Sequence, residues 1–451
     1  MQSASEQRHA AALVLGLGES GEAAARLLAH LGSRVTIVDQ AGGEPLAARR
    51  RALEPAGIRV VLGATAAPAA PFDLCVVSPG IPESSAWVRD VERRGIPVWS
   101  ELELAWRHCA ARVLAVTGSN GKSTLVALCR DALEQAGATA LLAGNCGPPF
   151  SAVVREGVCP AWVVLEVSTF QLERVHEFRP DVGVLLNVFP NHLDRHGNLA
   201  VYTALKARLF ARMPPAAPAV IGEDVPPEVR NSRPSARWRT FGSGAGVDYR
   251  YEPGRVRCAA SGREVPLAGT IFDNPVLGQT AAAAVAALEG CGLDPAHVAA
   301  AARGFRRLPH RMEDAGMVGG VRFVDDSKGT NLAALAAALR VIDGPIRLIA
   351  GGLLKEMDLG APKKMLFKKA AGVYIIGACS EAMFAAWKGV VPCVICQDLK
   401  QAVLRAWKEA SPGETILLSP GCASFDQFRG FEDRGDQFCS IVRSLVEGEK
   451  T

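Results

Sequence analysis

The string Thr117-Gly118-Ser119-Asn120-Gly121-Lys122-Ser123-Thr124 sets a lysine and a hydroxyl directly after a glycine loop. Apolar ARVLAV precedes it and LVALCRDALEQAG follows, so the loop joins an expected strand to an expected helix. These residue types point to phosphate chemistry: loop amides cradle oxygens, Lys122 reaches the β and γ phosphates of a nucleotide, and Ser123 offers a hydroxyl to Mg²⁺. Val116 stands where the usual eight-residue form has its first glycine. A Gly-Lys-Ser on a surface turn can arise by chance, and the strand and helix around it are what set this one apart. Glu166 ends the apolar run AWVVLE, where a carboxylate beside such a loop completes a magnesium site. His192 and Asp194 follow GVLLNV; a lone loop histidine is more often a surface residue, but strand ends are where open α/β sheets gather ligands.

A second glycine loop lies nearer the start, Gly16-Leu17-Gly18-Glu19-Ser20-Gly21, between ALVL and EAAARLLAHLG. Its amides and helix dipole suit a diphosphate, and Asp39, ending the next strand with Gln40 after it, is placed about 20 residues on to bind ribose hydroxyls. A nicotinamide or flavin nucleotide, another nucleotide diphosphate and a purely structural loop all remain open from these residues. Late in the chain come Arg311, the run Asp326-Ser327-Lys328-Gly329-Thr330-Asn331, Lys355 after a Gly-Gly turn, and Ser424 and Phe425 in LSPGCASFDQF. Scattered cations are normally solvated, yet these flank glycine and serine at strand ends, a placement suited to a carboxylate or phosphate.

The elements that must position these residues read as strand and helix alternating, which implies parallel sheets with helical crossovers. Strands are expected at ALVLGLG, RVTIVDQ, DLCVVSPG, AWVVLEVS, DVGVLLNV, PIRLIAGG, GVYIIG and TILLSPG. The fold class is α/β, and 451 residues exceed what one hydrophobic core serves. Three domains are expected at 1–107, 108–307 and 308–451: a Rossmann-like unit, a P-loop unit and a second Rossmann-like unit. The proline-rich MPPAAPAV and the segment from Pro226 to Gly254 read as surface loops or a small insertion.

Composition excludes several classes. With 49% hydrophobic and 21% charged residues the chain is globular rather than disordered. Fifty basic against 46 acidic residues, dispersed along the chain, give no stripe for nucleic acid. No apolar stretch reaches the ~18 residues of a membrane span. The start shows no secretory pattern, so a cytoplasmic protein with reduced thiols is expected, and a monomer. Cys393 and Cys396 form a CxxC in an apolar run with no second pair nearby, which reads as buried thiols rather than zinc ligands.

Taken together, GLGESG, SPGI, TGSNGKST, LEVSTFQLE, NHLDRHG, YTALKARLF, LPHRM, DDSKGTN, GGLLK and LSPGCASFDQFRGFEDRG resemble the Mur ligase family over nearly the whole chain, and STFQLE and CASFDQF resemble its glutamate-adding branch. The resemblance implies an ATP-dependent ligase that joins D-glutamate to UDP-N-acetylmuramoyl-L-alanine through an acyl phosphate, for peptidoglycan. It reassigns the first loop to the UDP substrate, with Gly18, Glu19, Ser20, Asp39, Gln40 and the turn Ser78-Pro79-Gly80, while Asn145 and Ser168 match positions lining the muramoyl-alanine site. It implies Arg311 and Asp326 at the nucleotide, and Lys328, Thr330, Lys355, Ser424, Phe425 and Phe431 around glutamate. One Mg²⁺ would be held by Ser123 and Glu166, a second by His192 and by Lys206, which is carbamylated in this family. Lys206 read alone would be an exposed helical lysine. Substrate sites on three domains further imply hinge closure.

The chain departs from the family where an adenine-contacting Gly-x-His-Asn-x-x-Asn string is usual: it reads LGQTAAAAVAAL. Relaxed purine selectivity is therefore expected. Two leucines separate Gly352 from Lys355 where an acid is common, and Phe425 replaces a smaller residue. Rival readings are a folylpolyglutamate synthase, which lacks the GLGESG unit, a nicotinamide-dependent oxidoreductase built on the first loop, and a nucleotide-binding regulatory module.

Overall fold

The computed structural model describes residues 9–233, 237–355 and 358–449. It contains three sheets, and the central strands of each are short runs of Val, Ile, Leu and Ala buried on both faces, the signature of parallel strands covered by helices.

The first sheet comprises β1 (Ala11–Leu15), β2 (Arg34–Val38), β3 (Arg59–Val61), β4 (Leu74–Val77) and β5 (Val98–Ser100), all parallel, in the order β3-β2-β1-β4-β5. Alternate residues of β1 feed separate cores: Ala12 and Val14 pack with Leu27, Leu28 and Ile37, Leu13 and Leu15 with Trp87, Val88 and Val91. The second sheet comprises β6 (Arg112–Thr117), β7 (Ala140–Gly144), β8 (Trp162–Glu166), β9 (Val182–Leu185), β10 (Ala219–Gly222), β11 (Trp238–Gly242), β12 (Tyr249–Glu252), β13 (Arg255–Cys258) and β14 (Glu264–Pro266). Its order is β14-β13-β12-β11-β10-β9-β6-β8-β7, parallel except for the closing meander β12 to β14. The third sheet, in the order β15-β16-β20-β17-β18-β19, has β15 (Glu313–Val318), β16 (Val321–Asp325), β17 (Ile346–Gly351), β18 (Ala370–Ile376), β19 (Cys393–Ile395) and β20 (Thr415–Leu418), with only β15 antiparallel.

Every expected strand and helix is present, with one correction. The segment from Pro226 to Gly254 is not a surface loop, because its described residues include β11 and all of β12, which extend the second sheet. Arginine and threonine interrupt the apolar pattern there, because these strands lie toward the sheet's margin and are only half covered. Within the Pro-rich piece, β10 likewise begins at Ala219.

The chain divides into two compact units: residues 1–188, 200–273 and 277–304 carry the first two sheets, and residues 189–199, 274–276 and 305–451 carry the third. Inside the first unit the sheets are joined by the helix Glu101–Arg107. Fully buried Glu103 accepts hydrogen bonds from the backbone N–H of His176 (2.9 Å), Glu177 (3.1 Å) and Phe178 (3.0 Å) and from Arg107 Nε (2.8 Å). A buried carboxylate is tolerable only with such partners. Glu101, also buried, accepts from Ser151 N at 2.5 Å, and burial pushes its carboxyl above the usual carboxylate range.

Candidate active site

Each sheet places a central strand at the point where strand order reverses: β1 between β2 and β4, β6 between β8 and β9, β20 between β16 and β17. The loops leaving the carboxyl ends of such strands open a crevice suited to ligands. Most sequence-derived candidates lie on these loops or on those leaving neighbouring strands, whereas Lys206 lies within the helix Leu199–Ala211, Arg311 precedes β15 and Phe431 opens the helix Phe431–Glu449.

At the second sheet, Gly118 and Gly121 let the loop after β6 fold tightly, with φ of +154° and +85°; a Cβ at Gly118 would lie 3.0 Å from Leu186 Cβ. Lys122 opens the helix Lys122–Gln135, and its Nζ donates to the carbonyls of Gly118 (2.8 Å) and Ser119 (3.0 Å), wrapping the loop on itself. Asn187, just beyond β9, accepts from the amides of Ser119 (3.1 Å) and Asn120 (2.9 Å). Sequence reading passed over Asn187, whose partners lie 67 and 68 residues earlier in the chain. Ser123 Oγ donates to Glu166 Oε2 at 2.6 Å, and Asn145 Nδ2 to Glu166 Oε1 at 2.7 Å. Asn145, matched by sequence to the muramoyl-alanine site, is thus tied in this structure to the same carboxylate as the loop serine. Ser168 caps the turn Thr169–Leu172 in a reciprocal box with Gln171.

Lys206 is not an exposed helical lysine. It is 1% exposed in the helix Leu199–Ala211, with Nζ 4.3 Å from the Tyr202 ring centre. Tyr202 in turn meets Ser119 Oγ at 3.2 Å, so helix and loop are stitched together. Burial drives the Lys206 amine well below the ordinary lysine range, the Lys122 charge adds to this, and Glu166 opposes it. His192, with φ of +55°, opens the short helix Leu193–His196 and belongs to the second unit, whereas Lys206 belongs to the first.

At the first sheet, both oxygens of Asp39 are taken by backbone: Leu17 N at 2.7 Å and Ala41 N at 2.8 Å. Ser78 Oγ donates to Gly16 O at 2.9 Å. Gly21 is required by space, since a Cβ there would lie 2.0 Å from Gly16 O. Gly18, Glu19, Gln40 and Gly80 are exposed around this knot, with Ser20 and Pro79 half-buried. A cavity lined by Ser78, Pro79, Glu83, Phe170, Glu173 and Arg174 connects the loop after β4 with the STFQLE segment.

In the second unit, Asp326 Oδ2 accepts from Ser419 Oγ at 2.8 Å, and burial raises its carboxyl to about 7. Lys328 Nζ lies 3.8 Å from the centre of the Phe431 ring. The loop after β17 pairs with the loop after β20 through Leu353 N to Ala423 O (2.8 Å) and Ala423 N to Leu353 O (2.9 Å), which places the Lys355 and Ser424 segments side by side. Ser424 is buried and Phe425 is 70% exposed. Arg434, which sequence reading missed, is fully buried and ties these loops together, donating to Ser327 Oγ (2.9 Å), Ser327 O (2.8 Å) and Cys422 O (3.3 Å). Nothing in its helical surroundings distinguishes it from a surface arginine. His310, Glu313 and Asp325 also cluster: Glu313 Oε2 accepts from the His310 backbone N–H at 2.8 Å, His310 Nδ1 meets Asp325 Oδ2 at 2.7 Å, and Asp325 Oδ1 accepts from Ser327 N at 2.8 Å.

Three family models match consecutive parts of the chain: a MurD-like Mur ligase N-terminal domain at 10–100, a Mur ligase middle domain at 116–286, and a Mur ligase glutamate ligase domain at 310–422. The UDP-N-acetylmuramoylalanine–D-glutamate ligase of Acidobacterium capsulatum is 37% identical across 95% of both chains. The chain belongs to the Mur ligase family. The ligase of the same name from Rubrobacter xylanophilus is 40% identical to it over 97% of this chain and 99% of that one. Among solved Mur ligases, MurF of Thermotoga maritima, in complex with ADP, shares the fold with a TM-score of 0.61 at 17% identity, covering 92% of this chain and 95% of that one. The three sheets described above are thus the Mur ligase architecture. Among the described residues, no helix is long and apolar enough to cross a membrane.

Proposed function

We propose that this chain joins D-glutamate to UDP-N-acetylmuramoyl-L-alanine at the expense of ATP, a cytoplasmic step of peptidoglycan precursor synthesis. The observation that carries the reading is the chain of contacts from Ser123 through Glu166 to Asn145 beside the Lys122 loop. It joins groups suited to phosphate, metal and amide substrate at one strand end.

A hydroxyl and a carboxylate 2.6 Å apart are hard oxygen donors of the kind Mg²⁺ takes, so Ser123 and Glu166 fit the ion. An ion held by these two residues would supply positive charge against the transferring phosphoryl group. Lys122 would release its loop carbonyls to hold the β and γ phosphates. The muramoyl-alanine carboxylate attacks the γ phosphorus and ADP departs; the glutamate amine then displaces phosphate from the acyl carbon. Positioning and charge stabilisation supply most of the acceleration.

Lys206 has the chemistry for carbamylation. Its burial favours the neutral amine, which attacks CO₂, loses a proton and becomes a carboxylate able to face metal. His192 is assigned to the second ion by the family string alone. The UDP moiety is assigned to the loops around Gly18 and Ser78, adenine and ribose to Arg311 and Asp326, and glutamate to Lys328, Thr330, Lys355, Ser424 and Phe431. Domain limits at 107 and 307 belong to the same reading. Incubation with ATP, Mg²⁺, UDP-N-acetylmuramoyl-L-alanine and D-glutamate tests it: product mass should rise by glutamate less water, and continuous ADP release in the absence of UDP-N-acetylmuramoyl-L-alanine would refute it.

A further inference from the structure

Two thiols outside the catalytic groups lie in contact beneath the loops assigned to glutamate. Cys379, just after β18, and Cys422, just after β20, have sulfurs 3.5 Å apart and are 8% and 0% exposed. We propose that Cys379 and Cys422 are a reversible dithiol–disulfide pair that, once oxidised by a small-molecule disulfide, deforms the Ser424 loop and suppresses glutamate binding. The effect on glutamate rests on the assignment of that loop made above.

The backbone around the pair leaves little slack. Cys379 N donates to Gly352 O at 3.1 Å, and a Cβ at Gly352 would lie 2.2 Å from Ala423 O and 3.2 Å from Cys422 Cβ. Ala378 N donates to Asp426 Oδ2 at 2.8 Å, so the loop after β18 is already fastened to the chain beyond Ser424. Sulfurs in van der Waals contact must close to about 2.05 Å to bond. The closure draws Cys422 toward Cys379 and away from the Arg434 guanidinium, which holds its carbonyl at 3.3 Å. Ser424, two residues on, moves with it.

The exchange is balanced. The Cys379 thiolate attacks one sulfur of the external disulfide and expels a thiolate. Cys422 then attacks Cys379 in the mixed disulfide and expels the second, and the two protein protons end on the two departing thiols. Cys379 is the entry point because Cys422 has no exposure. A hydrogen bond from the Cys422 thiol favours thiolate at Cys379 and pushes the Cys422 thiol up. In a reducing compartment the bond would form only transiently, as sensing disulfides do. Cys393 and Cys396, the CxxC pair, pack into different clusters and do not share this geometry.

The test titrates the full-length protein with oxidised and reduced glutathione. It reads the Cys379–Cys422 peptide by mass spectrometry after non-reducing digestion, and the KM for D-glutamate. The expected result is a cross-linked peptide lacking two hydrogens, at least a tenfold rise in that KM, and recovery with dithiothreitol. Cys379→Ser and Cys379→Ala should match the reduced wild-type rate and resist oxidation. Absence of the cross-link in oxidised wild-type protein overturns the proposal, as does a cross-link that leaves KM unchanged, or a Cys379→Ser enzyme as sensitive as wild type. Reduced Ser424→Ala is measured alongside. An unchanged D-glutamate KM there overturns the pocket assignment instead, and because the cross-link is read by mass, the two failures are told apart.

Discussion

Lys206 carries the sharpest difference between what a residue type suggests and what its surroundings permit. As a protonated amine it offers three donors and no acceptor, a poor neighbour for a metal, and its burial disfavours that charge. Lys206→Ala should lower turnover by at least about a hundredfold, the scale of losing one charge-stabilising group, and short carboxylic acids added to the assay should restore part of it. Full activity in the untreated variant would make Lys206 a packing residue. Asp326 gives a pH signature. Its carboxyl titrates near 7 in the folded chain, above the unfolded value, so the folded state binds this proton more tightly. Its stabilising contribution is complete at low pH and is lost as pH rises toward 7. Urea unfolding at pH 5 and pH 8 should therefore favour Asp326→Asn over wild type by up to a few kcal/mol more at pH 8. An equal difference at both would contradict this. The gathering of Lys122, Ser123 and Glu166 at adjacent strand ends was legible from type and spacing, because a strand, a glycine loop and a helix constrain one another locally. Arg434 and Asn187 were not, because their roles come from partners about 70 to 107 residues away.

At the scale of elements, Asp39 holds the first glycine loop rather than pointing freely into a crevice. Asp39→Ala removes the acceptor of two backbone N–H groups, each bond to a charged group being worth about 1.5 to 3 kcal/mol. It should raise the KM for the UDP substrate about tenfold or more and lower the melting temperature, leaving the ATP KM unchanged. An unchanged UDP-substrate KM would remove this loop from the site. The helix Leu277–Gly290 shows what a departure from the family string does structurally. Its alanines 281–284 are fully buried, and its Thr280 approaches the Lys122 loop, 3.7 Å from where a Gly121 Cβ would lie. Small side chains permit that close packing but supply few polar groups to read a base. ATP should accordingly be preferred over GTP by less than in relatives carrying the asparagines, because few groups are left unpaired by the wrong purine. An equal preference would show that other groups read the base. The strands from β11 to β14 were missed for a related reason: half-covered strands lack the apolar runs that announced the central ones.

For the whole molecule, the sequence made all three sheets legible because parallel strands buried on both faces must be apolar throughout. It left unread how the first two sheets are fastened, since Glu101 and Glu103 look like the solvent face of a helix until their partners at 151 and 176–178 are known. Glu103→Ala should destabilise the protein by several kcal/mol, as it strands three backbone N–H groups at about 1 to 3 kcal/mol each; a melting temperature within a degree of wild type would contradict that. The central claim is that the Lys122 loop transfers phosphate to a substrate carboxylate before the amine attacks. Oxygen-18 in the alanyl carboxylate of UDP-N-acetylmuramoyl-L-alanine tests it most directly. Each phosphate released during D-glutamate-dependent turnover should carry one labelled oxygen, and release of unlabelled phosphate would rule the acyl phosphate out.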